Sequence, residues 1–188
     1  EKLLVYWRQQ LSGPLPMLEI AGDRPRTESR TGRGAKQTVS FAKDLMDEIT
    51  SFSRQRGVTL FMTLIASFKV LLHFYTKQND VIIGTDVANR NRSEVEGLIG
   101  FFVNQLVLRT NLAGDPAFSE LLERVREVTL GAYAHQDLPF DRLVEALKPQ
   151  RNLNYAPFFQ IKLVLENTSA GEFELPGLKI HQIETDSG

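Results

Sequence analysis

Cysteine is absent from this chain of 188 residues, and histidine occurs only at His73, His135 and His181. The lack of cysteine excludes disulfides, thiol nucleophiles and thiolate metal ligands. The three histidines have no paired spacing, so they do not predict a metal site either. No glycine-rich phosphate-binding loop follows a predicted strand. The sequence therefore predicts neither a catalytic residue nor a metal ligand within this chain.

Net charge is also nearly absent, with 22 basic residues against 23 acidic ones. A protein without a strong positive field does not recruit nucleic acid or an anionic membrane surface, so neither is expected as a partner. The longest apolar run, residues 60–75, contains Lys69 and His73 and is shorter than the about 18 to 20 residues of a membrane span. Because no secretion signal is visible, we expect the chain in the cytoplasm.

Three helices are predicted in the first half of the chain. Residues 2–11 form the first, and because the sequence opens inside it without a methionine, we expect a piece of a larger protein. Gly57 ends the second helix, and Thr59 can cap the third, over residues 60–75, which is apolar nearly all round and is expected inside a layer. The second helix is marked by Leu45, Met46, Ile49 and Phe52.

Two more helices are predicted in the second half. Asp115 and Pro116 form a cap and first-turn pair, and Asp137 with Pro139 repeats that start signal before a short helix that Pro149 closes. The longer of the two helices is amphipathic and should pack on a sheet. Its apolar stripe consists of Phe118, Leu121, Leu122, Val125, Val128 and Ala132.

Five segments have the short apolar or alternating pattern of strands. They are residues 36–41, 80–87, 105–112, 158–165 and 178–184, with a polar loop at 88–97. Strands that alternate with helices predict an α/β fold in which helices cover a mixed sheet. We expect the whole chain to form one domain or lobe.

Residues 100–104 combine a glycine, two phenylalanines and an asparagine at the mouth of a predicted strand. Close backbone approach, aromatic walls and an amide could line a channel for an acyl chain or a peptide. A β-bulge with a core aromatic pair is the alternative.

Two of the histidines have a structural interpretation. His73 is expected in the core or at the boundary of the buried helix. His135 ends the long amphipathic helix, where a helix C-terminus favours its cation and its ring can hydrogen-bond across the turn. The alternative for His135 is a role in capping alone.

Several motifs together resemble one family. Residues 99–109, IGFFVNQLVLR, resemble the condensation-domain motif Ile/Val-Gly-x-Phe-Val-Asn-Thr with its following strand and arginine. Residues 135–141, HQDLPFD, resemble the family's His-Gln-Asp-x-Pro-Phe-Glu motif, in the same order. Residues 151–157 resemble a third motif at their arginine and proline, and Tyr6-Trp7 the end of a fourth. The chain is therefore identified as similar to condensation domains of nonribosomal peptide synthetases over nearly its whole length.

The resemblance implies one lobe of a two-lobed fold like chloramphenicol acetyltransferase. Such domains form an amide bond between substrates held as thioesters on carrier proteins, whose phosphopantetheine arms enter a tunnel between the lobes. The family's catalytic motif, His-His-x-x-x-Asp-Gly, is absent here. Residues 1–188 are thus expected to be the C-terminal lobe, inactive alone, with the N-terminal lobe, carrier proteins and an adenylation domain as partners. Its uncovered apolar face could also support a homodimer.

The resemblance assigns no catalytic role to any residue of this chain. A first set forms the tunnel wall and its support: Gly100, Phe102, Asn104, Gln105 and Arg109. A second set forms a turn that shapes the lobe: His135, Gln136, Asp137, Pro139 and Phe140. Gln105 departs from the family's threonine, which alters tunnel polarity, and residues 154–156 replace Ser-Arg-Asn. One of the arginines Arg109 and Arg90 is expected to form an ion pair with a carboxylate of the absent N-terminal lobe. The alternative is that it is a surface arginine.

Two other kinds of function are compatible with the same sequence. A relative in the same superfamily could epimerise, cyclise or form esters. A lobe of this kind could also serve only to dock carrier proteins, without catalysis.

Overall fold

The computed structural model describes residues 1–20, 22, 34–90, 93–149 and 156–166. In chain order, these residues form α1 (Lys2–Gln10), α2 (Lys43–Gln55), α3 (Leu60–Thr76), β1 (Asp80–Val87), α4 (Ser93–Glu96), β2 (Asn104–Asn111), α5 (Phe118–Ala134) and α6 (Phe140–Leu147). The five predicted helices are therefore present. Two of the predicted strands, β1 and β2, begin and end within one residue of their expected bounds.

The sheet is built from β1 and β2, which pair antiparallel from Asp80 opposite Asn111 to Val87 opposite Asn104. Gly84 also forms a parallel bridge to Lys162 at the other edge of β1. Because β1 has an antiparallel partner on one edge and a parallel bridge on the other, the sheet is mixed. The expected layered α/β fold is therefore confirmed. Three consecutive residues at the centre of each strand are no more than 1% exposed, so both faces are covered: Val81, Ile82, Ile83, Leu106, Val107 and Leu108.

Helix α3 connects the sheet to two other helices. It packs on β1, on α2 and on α5, which in turn lies on β2. The Thr59 hydroxyl accepts a hydrogen bond from the Met62 N–H at 3.2 Å, which confirms the predicted cap. The prediction that α3 is enclosed holds for one side, where Ile65 and Ala66 are fully buried. The other side is exposed and apolar, at Val70, Leu71, Phe74 and Tyr75.

Lys69 is the one charged side chain of α3 and is completely buried. Its Nζ donates to the Val81 carbonyl of β1 at 3.1 Å and to the Leu108 carbonyl of β2 at 2.7 Å. The amine therefore joins the helix to both strands. Loss of hydration lowers the pKa of Lys69 from 10.5 to about 7, although the nearby Asp80 carboxylate opposes this change.

Two strand predictions are wrong in the described part of the chain. Residues 36–41 form no strand, and Val39 and Phe41 are exposed, because an alternating sequence becomes a strand only where a sheet edge can pair with it. Residues 158–165 contain the single bridge at Lys162 rather than a full strand. Phe158 has a φ of 69°, and this left-handed backbone interrupts the extended conformation at its start.

Both predicted helix caps in the second half are also wrong. Asp115 has a φ of 49° and turns the chain, while Ala117 is the N-cap of α5. The N-cap of α6 is Pro139, not Asp137. The polar loop at 88–97 contains the short helix α4. The strand predicted at 178–184, His181 and most of the motif at 151–157 lie outside the described residues.

No single helix of the described residues is long and apolar enough to cross a membrane. Helices α2 and α3 reach that length and composition only as a pair bent by 105°.

The buried amine predicts a pH dependence of folding. Because the pKa of Lys69 is about 7 when folded and 10.5 as a free lysine, the unfolded chain binds more protons between these values. The free energy of unfolding should therefore rise with pH in this window, by up to about 1.4 kcal/mol per pH unit from Lys69. Urea unfolding between pH 7 and 9.5 measures it.

The matched variants are Lys69→Met, which should lose this part of the slope, and Lys43→Met at an exposed lysine, which should keep it. Measurements stop below pH 10 because burial raises the pKa values of Tyr6 and Tyr133, and these phenols oppose the trend at higher pH. Equal slopes in the wild type and Lys69→Met would show that the amine is not linked to folding.

Candidate functional site

An open cavity of about 720 Å³ lies where the start of β2 meets the start of α6. Its walls are mainly aromatic and apolar, and amides and carboxylates add polar groups. Such a mixture, at this volume, is typical of sites for small organic groups. The lining residues are Asp86, Asn89, Phe101, Phe102, Val103, Asn104, Gln105, Pro139, Phe140 and Asp141.

Asn104 holds the two sides of this cavity together. Its Nδ2 donates to the carbonyls of Gln136 and Leu138 at 2.7 and 2.9 Å, and its Oδ1 accepts from the Phe140 N–H at 2.9 Å. The side chain is buried, at 7% exposure. We call these three hydrogen bonds the Asn104 clasp. They join the first residue of β2 to the turn before α6.

The clasp also explains why the predicted Asp137 cap does not form. Phe140 is the first residue of α6, and its N–H is one of those that a helix start leaves without an internal partner. Asn104 supplies the acceptor from a distant strand, so no local side chain is needed. Asp137 is exposed at the turn instead.

His135 is the C-cap of α5 and is not among the residues that line the cavity. Its Nδ1 is 2.8 Å from the Gly131 carbonyl, and because a carbonyl only accepts, Nδ1 carries the proton in this contact. The ring stacks on Tyr6 with centroids 4.0 Å apart, and the His135 carbonyl accepts from Trp7 Nε1 at 3.1 Å. The ring hydrogen bond across the end of α5 is the one expected from the sequence, and the Trp7 contact fastens α1 to the turn.

Gln136 completes the turn through its backbone and side chain. Its carbonyl is part of the Asn104 clasp, and its Nε2 donates to the Tyr133 carbonyl at 2.9 Å. His73, at the far end of α3, is half-buried as expected, with Nδ1 2.9 Å from the Gln78 carbonyl.

Arg109 does not line the cavity and has a different partner from the one expected from the sequence. Its guanidinium binds Asp80 of this chain through Nε at 3.0 and 3.1 Å and through Nη2 at 2.7 Å. It also donates to the carbonyls of Ser12 and Pro14 at 2.6 and 3.1 Å. Arg109 therefore attaches the segment after α1 to the end of the sheet far from Asn104.

Arg90 braces the loop before β2. Its guanidinium carbon lies 4.2 Å from the centroid of the Phe102 ring, which lines the cavity. The same side chain donates to the backbone carbonyls of Val95 and Glu96 in α4. A cation over an aromatic face is a favourable contact, so Arg90 fixes Phe102 relative to α4. Neither of the two alternatives drawn from the sequence predicted this role.

The loop of residues 98–103 is exposed and apolar, which agrees with the expected uncovered face. Ile99 and Phe101 are fully or almost fully exposed, at 105% and 93%, and Leu98 and Val103 are about half exposed, at 53% and 46%. A core aromatic pair, the alternative interpretation, is therefore wrong for Phe101. Gly100 leaves room for the Phe102 ring, which a Cβ there would approach to 3.1 Å.

Of the ten residues proposed from the sequence, five line the cavity: Phe102, Asn104, Gln105, Pro139 and Phe140. Asp86 and Asn89 line it too and were missed, because single polar residues at a strand end or in a loop have no distinctive spacing. Asp141, the last residue of the motif at 135–141 and the second residue of α6, also lines the cavity but was not proposed as a site residue. Asp86 accepts from Lys162 Nζ at 2.7 Å across the sheet edge, a contact that joins residues 76 positions apart.

Comparison with known proteins gives a consistent result. The family model described as condensation domain matches residues 1–187. A linear gramicidin synthase protein of Brevibacillus parabrevis is 48% identical over 183 residues, which cover 97% of this chain but only 4% of that protein. The chain thus spans a small part of the curated relatives that it matches.

Two solved structures show the same fold. A four-domain nonribosomal peptide synthetase, holo-AB3403 bound to AMP and glycine, superimposes with a TM-score of 0.85 and 25% identity over 90% of this chain and 13% of its own. The X-domain from teicoplanin biosynthesis has a TM-score of 0.79 and 25% identity over 86% of this chain and 36% of its own, and it also matches in its complex with OxyB.

The Asn104 clasp predicts that removal of the Asn104 amide destabilises the fold strongly. Asn104→Ala deletes three hydrogen bonds and leaves buried backbone groups without partners, so we expect a loss of about 2 to 4 kcal/mol in the free energy of unfolding. Asn111→Ala is the matched control, because it changes the same residue type at the exposed other end of β2. That variant should lose less than about 1 kcal/mol. Chemical denaturation measures both, and similar losses would contradict the clasp.

Proposed function

Because the chain belongs to the condensation-domain family, we propose that residues 1–188 are the C-terminal lobe of a domain that forms amide bonds between carrier-bound substrates. The cavity built by both recognised motifs is the observation that carries this proposal. The residues that resemble IGFFVN and those that resemble HQDLPF contact each other directly through Asn104. The family resemblance is thus supported by a physical contact between its two strongest motifs.

The cavity supports a role in binding rather than in catalysis. Phe102 and Phe140 provide apolar walls, while Gln105 offers an amide beside them. These groups bind and orient an acyl or peptidyl group carried on a phosphopantetheine arm, which shields it from water. The chemistry itself is assigned to the His-His-x-x-x-Asp-Gly motif of the N-terminal lobe, which this sequence does not contain.

The rim of the cavity supports a second lobe as partner. Phe101 and Val103 line the cavity, yet they are 93% and 46% exposed. Apolar side chains at an open rim gain stability when another surface covers them. The matched X-domain is longer than this chain, which aligns to 36% of it, so a domain of this type has further residues with which to cover the rim.

Carrier proteins and an adenylation domain are the further partners that we propose. Domains of this family occur in multidomain synthetases, such as the four-domain protein bound to AMP and glycine. In such an assembly each carrier protein delivers its loaded phosphopantetheine arm to the tunnel. The cytoplasm is the compartment that fits this activity.

A docking function is the second candidate, and one observation favours it. The X-domain with a TM-score of 0.79 to this chain has also been solved in complex with OxyB. A lobe of this fold can therefore belong to a domain that binds a protein partner. Epimerising, cyclising or ester-forming relatives have no observation in their favour in the described residues.

Amide formation tests the proposed activity. This chain should be expressed alone and together with the residues that precede it naturally, about 150 to 250 of them by ordinary domain size. Mass spectrometry of loaded carrier proteins then detects the condensed product. We expect product only from the longer protein.

Three results would contradict the proposal. Product from the present chain alone would place the catalytic group within it. An ester or an epimerised product would favour the other members of the superfamily. No product from the longer protein, with carrier binding retained, would favour the docking function.

The exposed loop predicts the lobe contact. Phe101→Gln should weaken binding of a separately expressed N-terminal lobe by about tenfold or more, because a large apolar side chain at the centre of an interface contributes over 1 kcal/mol. Leu130→Gln on α5 is the control, since Leu130 is also apolar and 45% exposed but lies outside the loop. Calorimetric titration measures both, and equal effects would exclude the loop as the contact.

A further inference from the structure

Gly84 lies in the middle of β1, with the ring of Phe159 directly over it. A Cβ atom on Gly84 would lie 2.5 Å from Phe159 Cε2 and 2.6 Å from two more ring atoms. Carbon atoms in contact are about 3.5 to 4 Å apart. A side chain at position 84 therefore requires Phe159 to move.

The backbone around Gly84 restricts how Phe159 can move. The Gly84 N–H donates to the Ile161 carbonyl at 2.9 Å, and the Leu163 N–H donates to the Gly84 carbonyl at 3.0 Å. The ion pair of Lys162 with Asp86 holds the same segment. Because these contacts fix the backbone two residues after Phe159, its ring cannot withdraw by a slide of the segment along β1.

Phe159 lies behind the wall of the cavity. It is 5% exposed, and its ring centroid is 5.7 Å from that of Phe140, which lines the cavity. The Asn104 clasp holds Phe140 from the backbone side through its N–H. A displacement of the Phe159 ring towards α6 therefore acts on the Phe140 side chain, because the Phe140 main chain is held by Asn104.

We propose that Gly84 is a positioning residue that sets the size of the group the cavity accepts, acting through Phe159 and Phe140. This inference rests on the proposed function, because the accepted group is the substrate of the condensation. Gly84 itself does not line the cavity. With glycine at position 84, the Phe159 ring lies against β1 and leaves Phe140 in its observed place.

The test uses the whole synthetase that contains this chain and two size series. Carrier-bound glycine, alanine, leucine and phenylalanine are compared first as acceptors and then as donors. In one of the two series, Gly84→Ala should lower the ratio of the condensation rate for phenylalanine to that for glycine by about tenfold or more. Changes of this size are typical when the volume of an apolar pocket changes by one methylene group. The double variant Gly84→Ala with Phe159→Leu removes the clash and should restore the ratio to within about twofold of wild type.

A crystal structure of Gly84→Ala provides a readout that does not need activity. The ring of Phe140 should shift by about 1 Å, the difference between the clash and a normal contact. An unmoved Phe140, or an equal fall in rate for every substrate without rescue by Phe159→Leu, would overturn the inference. Failure of the proposed function is a separate result, in which the wild-type synthetase forms no amide while the Phe140 shift is still measured.

Discussion

The buried amide of Asn104 is the contact on which the arrangement of the cavity depends. One side chain satisfies two carbonyls of a turn and the first N–H of a helix, and it starts the strand that forms half of the sheet. A buried amide is costly unless all its groups are paired, so the geometry of the turn is determined by the need to pair them. Asparagine meets this need, since aspartate has no donor and glutamine is one methylene longer.

Lys69 has a comparable role between α3 and the sheet. Its amine joins α3 to β1 and β2, much as the Asn104 clasp joins β2 to α6. The two differ in their electrostatic cost, because an amide is neutral and a buried ammonium loses its hydration. The depressed pKa of Lys69, about 7, is a measure of that cost. The backbone carbonyls that it binds offset part of this penalty and set the position of the helix on the strands.

The sequence predicted the helices and the strands β1 and β2 well, because their patterns are local. Thr59 as a cap and the apolar centres of β1 and β2 depend only on neighbouring residues. The failures involve partners distant in the chain. Asp137 was expected to cap α6, but the acceptor comes from Asn104, 36 residues before Phe140. Residues 36–41 alternate like a strand and still find no sheet edge among the described residues.

The candidate site was predicted only in part, because its motifs are local in the sequence while the contacts of its residues are not. Of the five proposed residues that line the cavity, Pro139 and Phe140 had been assigned to a turn and not to a wall. Spacing also did not separate the wall residues from Arg109, which lies on the same strand and binds Asp80 at the other end of the sheet. The exposed loop of residues 98–103 connects the cavity to the expected contact with a second lobe. Phe101 both lines the cavity and is 93% exposed, so a surface that covers this loop also closes the cavity. Under the proposed function, assembly of the two lobes and formation of the tunnel are therefore one event, because the same apolar side chain contributes to both.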